Sequence, residues 1–315
     1  MGDILAHSPP LPLVIDCLDI DRERTAEDDD GILLALQHCD RVRRIGLVVP
    51  ATNLLPSLVA MDKRFPILER LFIISQTGDQ TNLMVPETFQ APSLRDLVLS
   101  CVRLPTGPSS LLASAGLVIL MVECIPPSAY FPPSYLLARL SSLTQLQELS
   151  IGFTYPAPAD DVEGQLSHTH IVARVTLSSL RSLSLRGGNG YLEAILARTN
   201  TPHLEIIHIY IFHQFAFNPP HPSQLASSIK KPQFDCAWLH FYPGSVSLVA
   251  GDWRRDWIPF RIQITCAHLD WQVASAIQVF GAISPMLSVV ERLELNYYLY
   301  DDDDGSPERY EVDPT

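Results

Sequence analysis

The chain has 315 residues, of which 47% are hydrophobic and 18% are charged, which is the balance of a folded protein with a substantial core and excludes a disordered chain. Its net charge of −13 disfavours nucleic-acid binding, because contacts to phosphates need a basic surface. The sequence shows no secretory leader, no apolar stretch long enough to span a bilayer, and 6 scattered cysteines without a C-x-x-C pair. We therefore expect a reduced intracellular protein, cytoplasmic or nuclear, that binds neither nucleic acid nor a membrane.

A repeated apolar pattern dominates the chain after the first 30 residues. Residues 1–30 are expected to hold an N-terminal strand and an acidic segment, DRERTAEDDD (21–30), of a kind that is usually solvated. From residue 31 to about 300 the spacing L-x-x-L-x-L occurs nine times, with other apolar residues allowed in place of Leu. The nine triplets are Val42/Ile45/Leu47, Leu68/Leu71/Ile73, Leu94/Leu97/Leu99, Leu117/Leu120/Val122, Leu146/Leu149/Ile151, Leu180/Leu183/Leu185, Leu204/Ile207/Ile209, Phe234/Ala237/Leu239 and Val290/Leu293/Leu295.

The spacing of these triplets predicts the fold class. The first eight lie 23 to 34 residues apart, and the leucine-rich repeat has a period of about 20 to 29 residues. Helical patterns precede several triplets, at residues 31–39, 134–143, 190–199 and 270–283, the last with Asp270 as the expected N-cap. We therefore predict an α/β fold: a leucine-rich-repeat-like curved solenoid over residues 31–300, with parallel strands on the concave face and short helices on the convex face.

Two segments depart from the repeat. Near residues 237–266 three alternating stretches are separated by YPG (242–244) and GDWRRDW (251–257), and they predict a β-meander in place of a helix. Residues 301–315, DDDDGSPERYEVDPT, form an acidic C-terminal tail that we expect to be disordered.

The chain resembles the F-box-like leucine-rich repeat proteins of mushroom-forming fungi. The similar segments are LAHSPPLPLVID (5–16), GILLALQHCDRVRRI (31–45), MDKRFPILERL (61–71), TFQAPSLRDLVL (88–99) and HLDWQVASAIQVFGAISPMLSVVERLEL (268–295). In that family an F-box docks on the Skp adaptor of a cullin-RING ubiquitin ligase, and the repeats are presumed to hold the substrate. No F-box is visible before Gly31, so the resemblance implies Skp and cullin as partners only if an F-box exists upstream.

The residues between the template positions should line the concave face, because side chains of a strand alternate between its two sides. Concave faces are the usual binding surfaces of solenoids, and the C-terminal strands are the richer in aromatic residues and Arg. The predicted partner-binding set is Arg186, His208, Tyr210, Trp238, His240, Arg261, Gln263, Arg292 and Glu294. The competing interpretation is that these are ordinary solvent-facing strand residues, and a register error of one residue would move them all to the other face.

The sequence therefore leaves three candidate functions. The sequence favours a protein-interaction module similar to the substrate-recognition repeats of an F-box adaptor, with a stand-alone repeat scaffold lacking any ubiquitin link as the alternative. The third is a metal-binding protein that uses His168 and His170 beside Asp160, Asp161 and Glu163. A polar loop is the simpler interpretation of that segment, and no catalytic motif appears, so we expect neither an enzyme nor a cofactor.

Overall fold

The chain has an α/β fold of mostly parallel strands with few helices, and it divides into two compact units. The computed structural model describes residues 11–18, 25–76, 83–105, 110–154, 174–212, 234–252, 257–266, 268–288 and 290–298. Unit 1 comprises Met1–Phe131 and Ala138–Thr154, and unit 2 comprises Pro132–Leu137 and Tyr155–Thr315. In the described part of the chain, no helix has the length and apolar character needed to cross a membrane.

Unit 1 is built from six strands that pair in parallel in the order of the chain. They are β1 (Leu13–Cys17), β2 (Val42–Val49), β3 (Arg70–Ser75), β4 (Asp96–Ser100), β5 (Ile119–Ile125) and β6 (Glu148–Phe153). The connections carry helices α1 (Ala26–Gln37) and α2 (Ala51–Ala60) and the 3₁₀ turns Ser110–Ala113 and Pro127–Ala129. Helix α3 (Pro133–Leu140) includes residues assigned to each unit.

Unit 2 has six main strands whose order differs from their order in the chain. Its elements are β7 (Val175–Thr176), β8 (Ser182–Gly187), α4 (Asn189–Leu196), β9 (Thr199–Asn200), β10 (Ile206–Ile211), β11 (Cys236–Tyr242), β12 (Ser245–Asp252), β13 (Trp257–Thr265), α5 (Leu269–Leu287) and β14 (Arg292–Tyr297). The order across the sheet is β8-β10-β13-β12-β11-β14, while β7 and β9 pair separately. Strand β12 alone runs against the other five.

The predicted β-meander is confirmed, and it explains the unusual strand order. Strands β11, β12 and β13 follow one another in antiparallel pairs, and Pro243 and Gly244 make the two-residue turn between the first two. The last strand, β13, lies parallel to β10, whereas the first, β11, lies parallel to β14. The meander thus places three strands where a regular repeat would place one. Residues 253–256, which belong to the second predicted turn, lie outside the described residues.

The template triplets form the core, as the repeat pattern predicts. In the first eight triplets every residue is at most 7% exposed. The ninth differs: Leu293 and Leu295 are 54% and 58% exposed, so the expectation that they point into a core is wrong. The reason is that α5, the helix before β14, packs on β12 and β13, while β14 is the last strand of the order and pairs only with β11 among the described strands.

The starts of the first and last helices, α1 and α5, differ from those that the sequence predicts. Helix α1 begins five residues before the predicted Gly31, inside the acidic run, because Thr25 and Asp28 form a capping box. The Thr25 hydroxyl accepts from the Asp28 N–H at 3.3 Å, and the Asp28 carboxylate accepts from the Thr25 N–H at 3.0 Å. The acids therefore stabilise a helix N-terminus. At α5 the predicted N-cap Asp270 is wrong, since the N-cap is His268.

The contrast between buried and exposed triplets gives a matched stability test. Leu183 of β8 is 2% exposed and Leu293 occupies the same template position in β14. We expect Leu183→Ala to lower the free energy of unfolding by about 2 to 5 kcal/mol, because it leaves a cavity in the core. Leu293→Ala should change it by no more than about 0.5 kcal/mol. Chemical denaturation of both variants measures the difference, and equal losses would contradict the exposed position of β14.

Candidate functional site

The predicted partner-binding residues lie together on one side of the unit 2 sheet, which we call the outer face: the side opposite the buried triplets. Pairing between strands aligns their side chains in rows that run from β8 through β10, β13, β12 and β11 to β14. The first row is Ser184, His208, Arg261, Val249, Trp238 and Glu294, and the second is Arg186, Tyr210, Gln263, Ser247, His240 and Asn296. Eight of the nine predicted residues are in these rows. The ninth, Arg292, precedes Glu294 by two residues in β14 and pairs with Cys236 of β11.

The structure groups these residues differently from their order in the chain. Because β13 lies beside β10, Arg261 pairs with His208 and Gln263 pairs with Tyr210. Trp238 lies two strands beyond Arg261, on the far side of β12. The sequence could not reveal this arrangement, since a three-stranded meander can be placed in either direction next to the preceding strand.

Strand β12 supplies a floor that sequence reasoning missed. Its outer residues Ser245, Ser247 and Val249 are small and only 9%, 4% and 3% exposed. They lie between the larger outer side chains of β11 on one side and of β13 on the other. We call this row of three small, nearly buried side chains the β12 trough. The alternation of Ser245 and Ser247 with Val246 and Leu248 was the available signal, because serines facing away from a core are suited to close packing under larger neighbours.

Three stacked rings border the trough on the β11 side. The ring centroids of Tyr242 and Tyr298 are 4.8 Å apart with planes only 8° from parallel, and His240 lies 5.6 Å from Tyr298 and 6.1 Å from Tyr242. Burial is the main cause that raises the pKa of the Tyr242 hydroxyl, followed by neighbouring Tyr298. Tyr242 therefore stays neutral and offers a hydroxyl for hydrogen bonding. Sequence reasoning missed Tyr242 and Tyr298, although both follow outer positions of strands that it had identified.

The opposite border carries a guanidinium whose Nε is not hydrogen-bonded. The Nε of Arg261 is buried and has no hydrogen-bond partner among the described residues. Two arginines of other strands differ: Arg70 in unit 1 pairs with Asp96 at 2.8 Å, and Arg292 pairs with Glu294 at 2.6 Å. Arg186 lies over the Phe212 ring, 5.3 Å from its centroid. Leaving a buried donor unpaired is costly, so the Arg261 side chain gains free energy from any rearrangement that brings an acceptor to its Nε.

The pKa of His208 depends in part on the positive charge of Arg261. Burial is the largest cause that lowers the pKa of His208, and the positive charge of Arg261 lowers it further, while a bond to the Ile258 carbonyl opposes both. That carbonyl can only accept, so His208 Nε2 donates to it across 3.2 Å. His208 is therefore neutral at pH 7. Its contribution to stability is complete above pH 6.5, the usual pKa, and declines as the pH falls below that value, because the unfolded chain takes up the proton more readily.

The arrangement offers donors, acceptors and aromatic surfaces for binding. The Gln263 amide donates to the Ser245 hydroxyl at 3.2 Å, which fixes one wall of the trough against its floor. The metal alternative concerned residues 160–170, which lie outside the described residues. Within the part of the chain that the structure describes, no three His, Cys, Asp or Glu side chains are grouped so as to hold a metal ion.

Comparison with known proteins adds no identification. The chain matches no protein-family model, and no curated protein and no solved structure is significantly similar to it. The outer face and the residues that form it are therefore the basis for inferring a function.

The charge of Arg261 can be tested through its neighbour. We expect Arg261→Gln to raise the pKa of His208, because it removes a positive charge that disfavours protonation. NMR titration of the His208 ring measures this. Arg186→Gln is the control: Arg186 is exposed, contacts Phe212 and is not among the causes of the shift, so that variant should leave the titration unchanged. If the pKa of His208 is the same in Arg261→Gln as in the wild-type chain, the charge of the Arg261 guanidinium is neutralised by another group.

Proposed function

We propose that this chain is a protein-interaction module that binds a partner protein on the outer face of unit 2. One observation carries the proposal: the strand register gathers Trp238, Tyr210 and Arg261 on a single face. Trp, Tyr and Arg are the residue types that contribute most binding energy in protein interfaces. The half-buried aromatic rings present apolar area that a partner can cover.

The same proposal includes the finer description of the fold, a leucine-rich-repeat-like curved solenoid whose concave side is the outer face. Two observations support it. Eight repeated triplets occupy equivalent core positions, and the strands that carry the first five of them pair in parallel with their sequence neighbours. Each such unit buries its apolar side only against its neighbours, which is how solenoids are stabilised.

The resemblance to F-box-like repeat proteins suggests which system the module serves. We propose that the outer face holds the substrate of a ubiquitin ligase, with a stand-alone scaffold as the alternative. Affinity purification of the tagged chain separates the two. Recovery of the Skp adaptor and a cullin together with further proteins supports the ligase role, whereas a reproducible partner without either supports the scaffold.

Substitution of the aromatic residues tests the binding face itself. We expect Trp238→Ala and Tyr210→Ala each to weaken partner capture by about 2 kcal/mol, or roughly 30-fold, because each removes a large half-buried ring. The measurement compares, by quantitative mass spectrometry, the proteins retained by the wild-type chain and by each variant. Phe72→Ala is the control, since Phe72 is a half-buried aromatic residue at the corresponding outer position of β3 in unit 1.

The outcome is decisive in either direction. If both outer-face variants retain the same proteins as the wild-type chain, the assignment of the binding face is wrong. If Phe72→Ala loses the partner and the other two do not, the binding face is in unit 1.

The guanidinium of Arg261, whose Nε has no hydrogen-bond partner among the described residues, suggests an acidic group on the partner. A carboxylate fits a guanidinium best, since two parallel hydrogen bonds form between them. We expect Arg261→Lys to lose most of the affinity that Arg261→Gln loses, because a lysine keeps the charge but not the paired geometry. Titration of a purified partner measures both, and full retention by Arg261→Lys would show that only charge matters.

A further inference from the structure

Two cysteines of unit 1 occupy matching positions at the ends of neighbouring strands. Ser100 of β4 pairs with Glu123 of β5, and Cys101 and Cys124 are the next residues of each strand. The Cys101 N–H donates to the Glu123 carbonyl at 3.1 Å, so the backbones are still joined at this point. Neighbouring strands lie about 4.8 Å apart, and a disulfide joins Cα atoms about 4.4 to 6.8 Å apart. The backbone spacing therefore suits a disulfide without rearrangement.

The backbone of both cysteines is unusual in the same way. Cys101 has φ 57° and Cys124 has φ 54°, and they are the only non-glycine residues with positive φ in the described part of the chain. This left-handed conformation is uncommon for a residue with a Cβ. Cys124 also lies in the register break of β5 between Val122 and Ile125. Residues in rare conformations concentrate at functional positions, and here two lie side by side.

The left-handed turns remove both thiols from the core. By simple alternation Cys101 and Cys124 would follow Leu99 and Val122 into the buried side of the sheet. Instead the core positions pass to Val102 and Ile125, which are 2% and 4% exposed, and both cysteines are half-buried. Both cysteines are thus partly exposed, unlike the buried Cys236 and Cys266.

The two thiols contact each other, and their roles differ. Burial is the largest cause that raises the pKa of Cys101 to about 11, followed by the charge of Cys124 and a hydrogen bond with its side chain. Cys101 is therefore protonated at neutral pH and donates its S–H to the sulfur of Cys124. Because Cys101 is held in its protonated form, we assign Cys124 as the attacking thiol and Cys101 as the second thiol.

We propose that Cys101 and Cys124 form a redox-active dithiol site that closes to a disulfide by exchange with a small disulfide such as oxidised glutathione. The Cys124 thiolate attacks one sulfur of the disulfide, the S–S bond breaks, and one glutathione leaves as thiolate. Cys101 then loses its proton to solvent and attacks the sulfur of Cys124, and the second glutathione leaves. Two protein thiols are oxidised and one glutathione disulfide is reduced to two thiols.

The test uses the full chain with all six cysteines. The reduced protein is incubated in glutathione buffers of increasing oxidised fraction, quenched with acid, alkylated and analysed by peptide mapping. We expect loss of two alkylatable thiols and a linked peptide that joins Cys101 to Cys124. Retention of all six thiols in the most oxidising buffer, or linkage of either cysteine to another position, would overturn the proposal.

Single substitutions distinguish the two roles. Cys101→Ser should accumulate glutathione on Cys124, because no second thiol is present to displace it, whereas Cys124→Ser should leave Cys101 largely unmodified. Cys39→Ser is the control, since Cys39 is half-buried in another part of unit 1 and the linked peptide should still form. Equal glutathione incorporation at either cysteine of the pair would refute the division of roles, and the wild-type result does not depend on any variant folding.

Discussion

The parallel register between neighbouring strands is the constraint on which the rest of the structure depends. Because the side-chain period of a strand is two, one alignment fixes both faces of a sheet at once. The alignment that places Leu183, Ile207 and Phe260 in one buried row also places Ser184, His208 and Arg261 in the adjacent outer row. The apolar residues supply the free energy that holds the register, and the outer face needs little stabilisation of its own. Core and candidate binding surface are therefore not independent features.

The sequence predicts the buried triplets and the side on which each outer residue lies, because both follow from spacing along a single strand. It does not predict which strands become neighbours within the meander, since that choice depends on packing between distant segments. The contact of Arg261 with His208 and the floor made by Ser247 follow only from the order β10-β13-β12-β11. For the same reason the sequence placed Leu293 in a core, although the helix that would cover it packs elsewhere.

The meander changes both the number of strands in the sheet and the residue types on its outer face. A regular repeat adds one outer position per row, whereas three consecutive strands add three, and they come from a short stretch of the chain. The small, nearly buried residues of β12 lie between the larger ones of β11 and β13. Stacked rings on one border and an arginine on the other then give the two borders different binding preferences.

Strand β14, which pairs only with β11 among the described strands, has a consequence for how the protein behaves at high concentration. A strand at the end of a sheet, with Leu293 and Leu295 exposed on one side, is a template for pairing with another chain. Arg292 and Glu294 alternate with these two leucines along β14. Charged side chains in such positions oppose amyloid-like stacking. The net charge of −13 adds repulsion between molecules at neutral pH. Near the isoelectric point of about 5.1 that repulsion vanishes, and the charges on Arg292 and Glu294 then remain as a local barrier to pairing along β14.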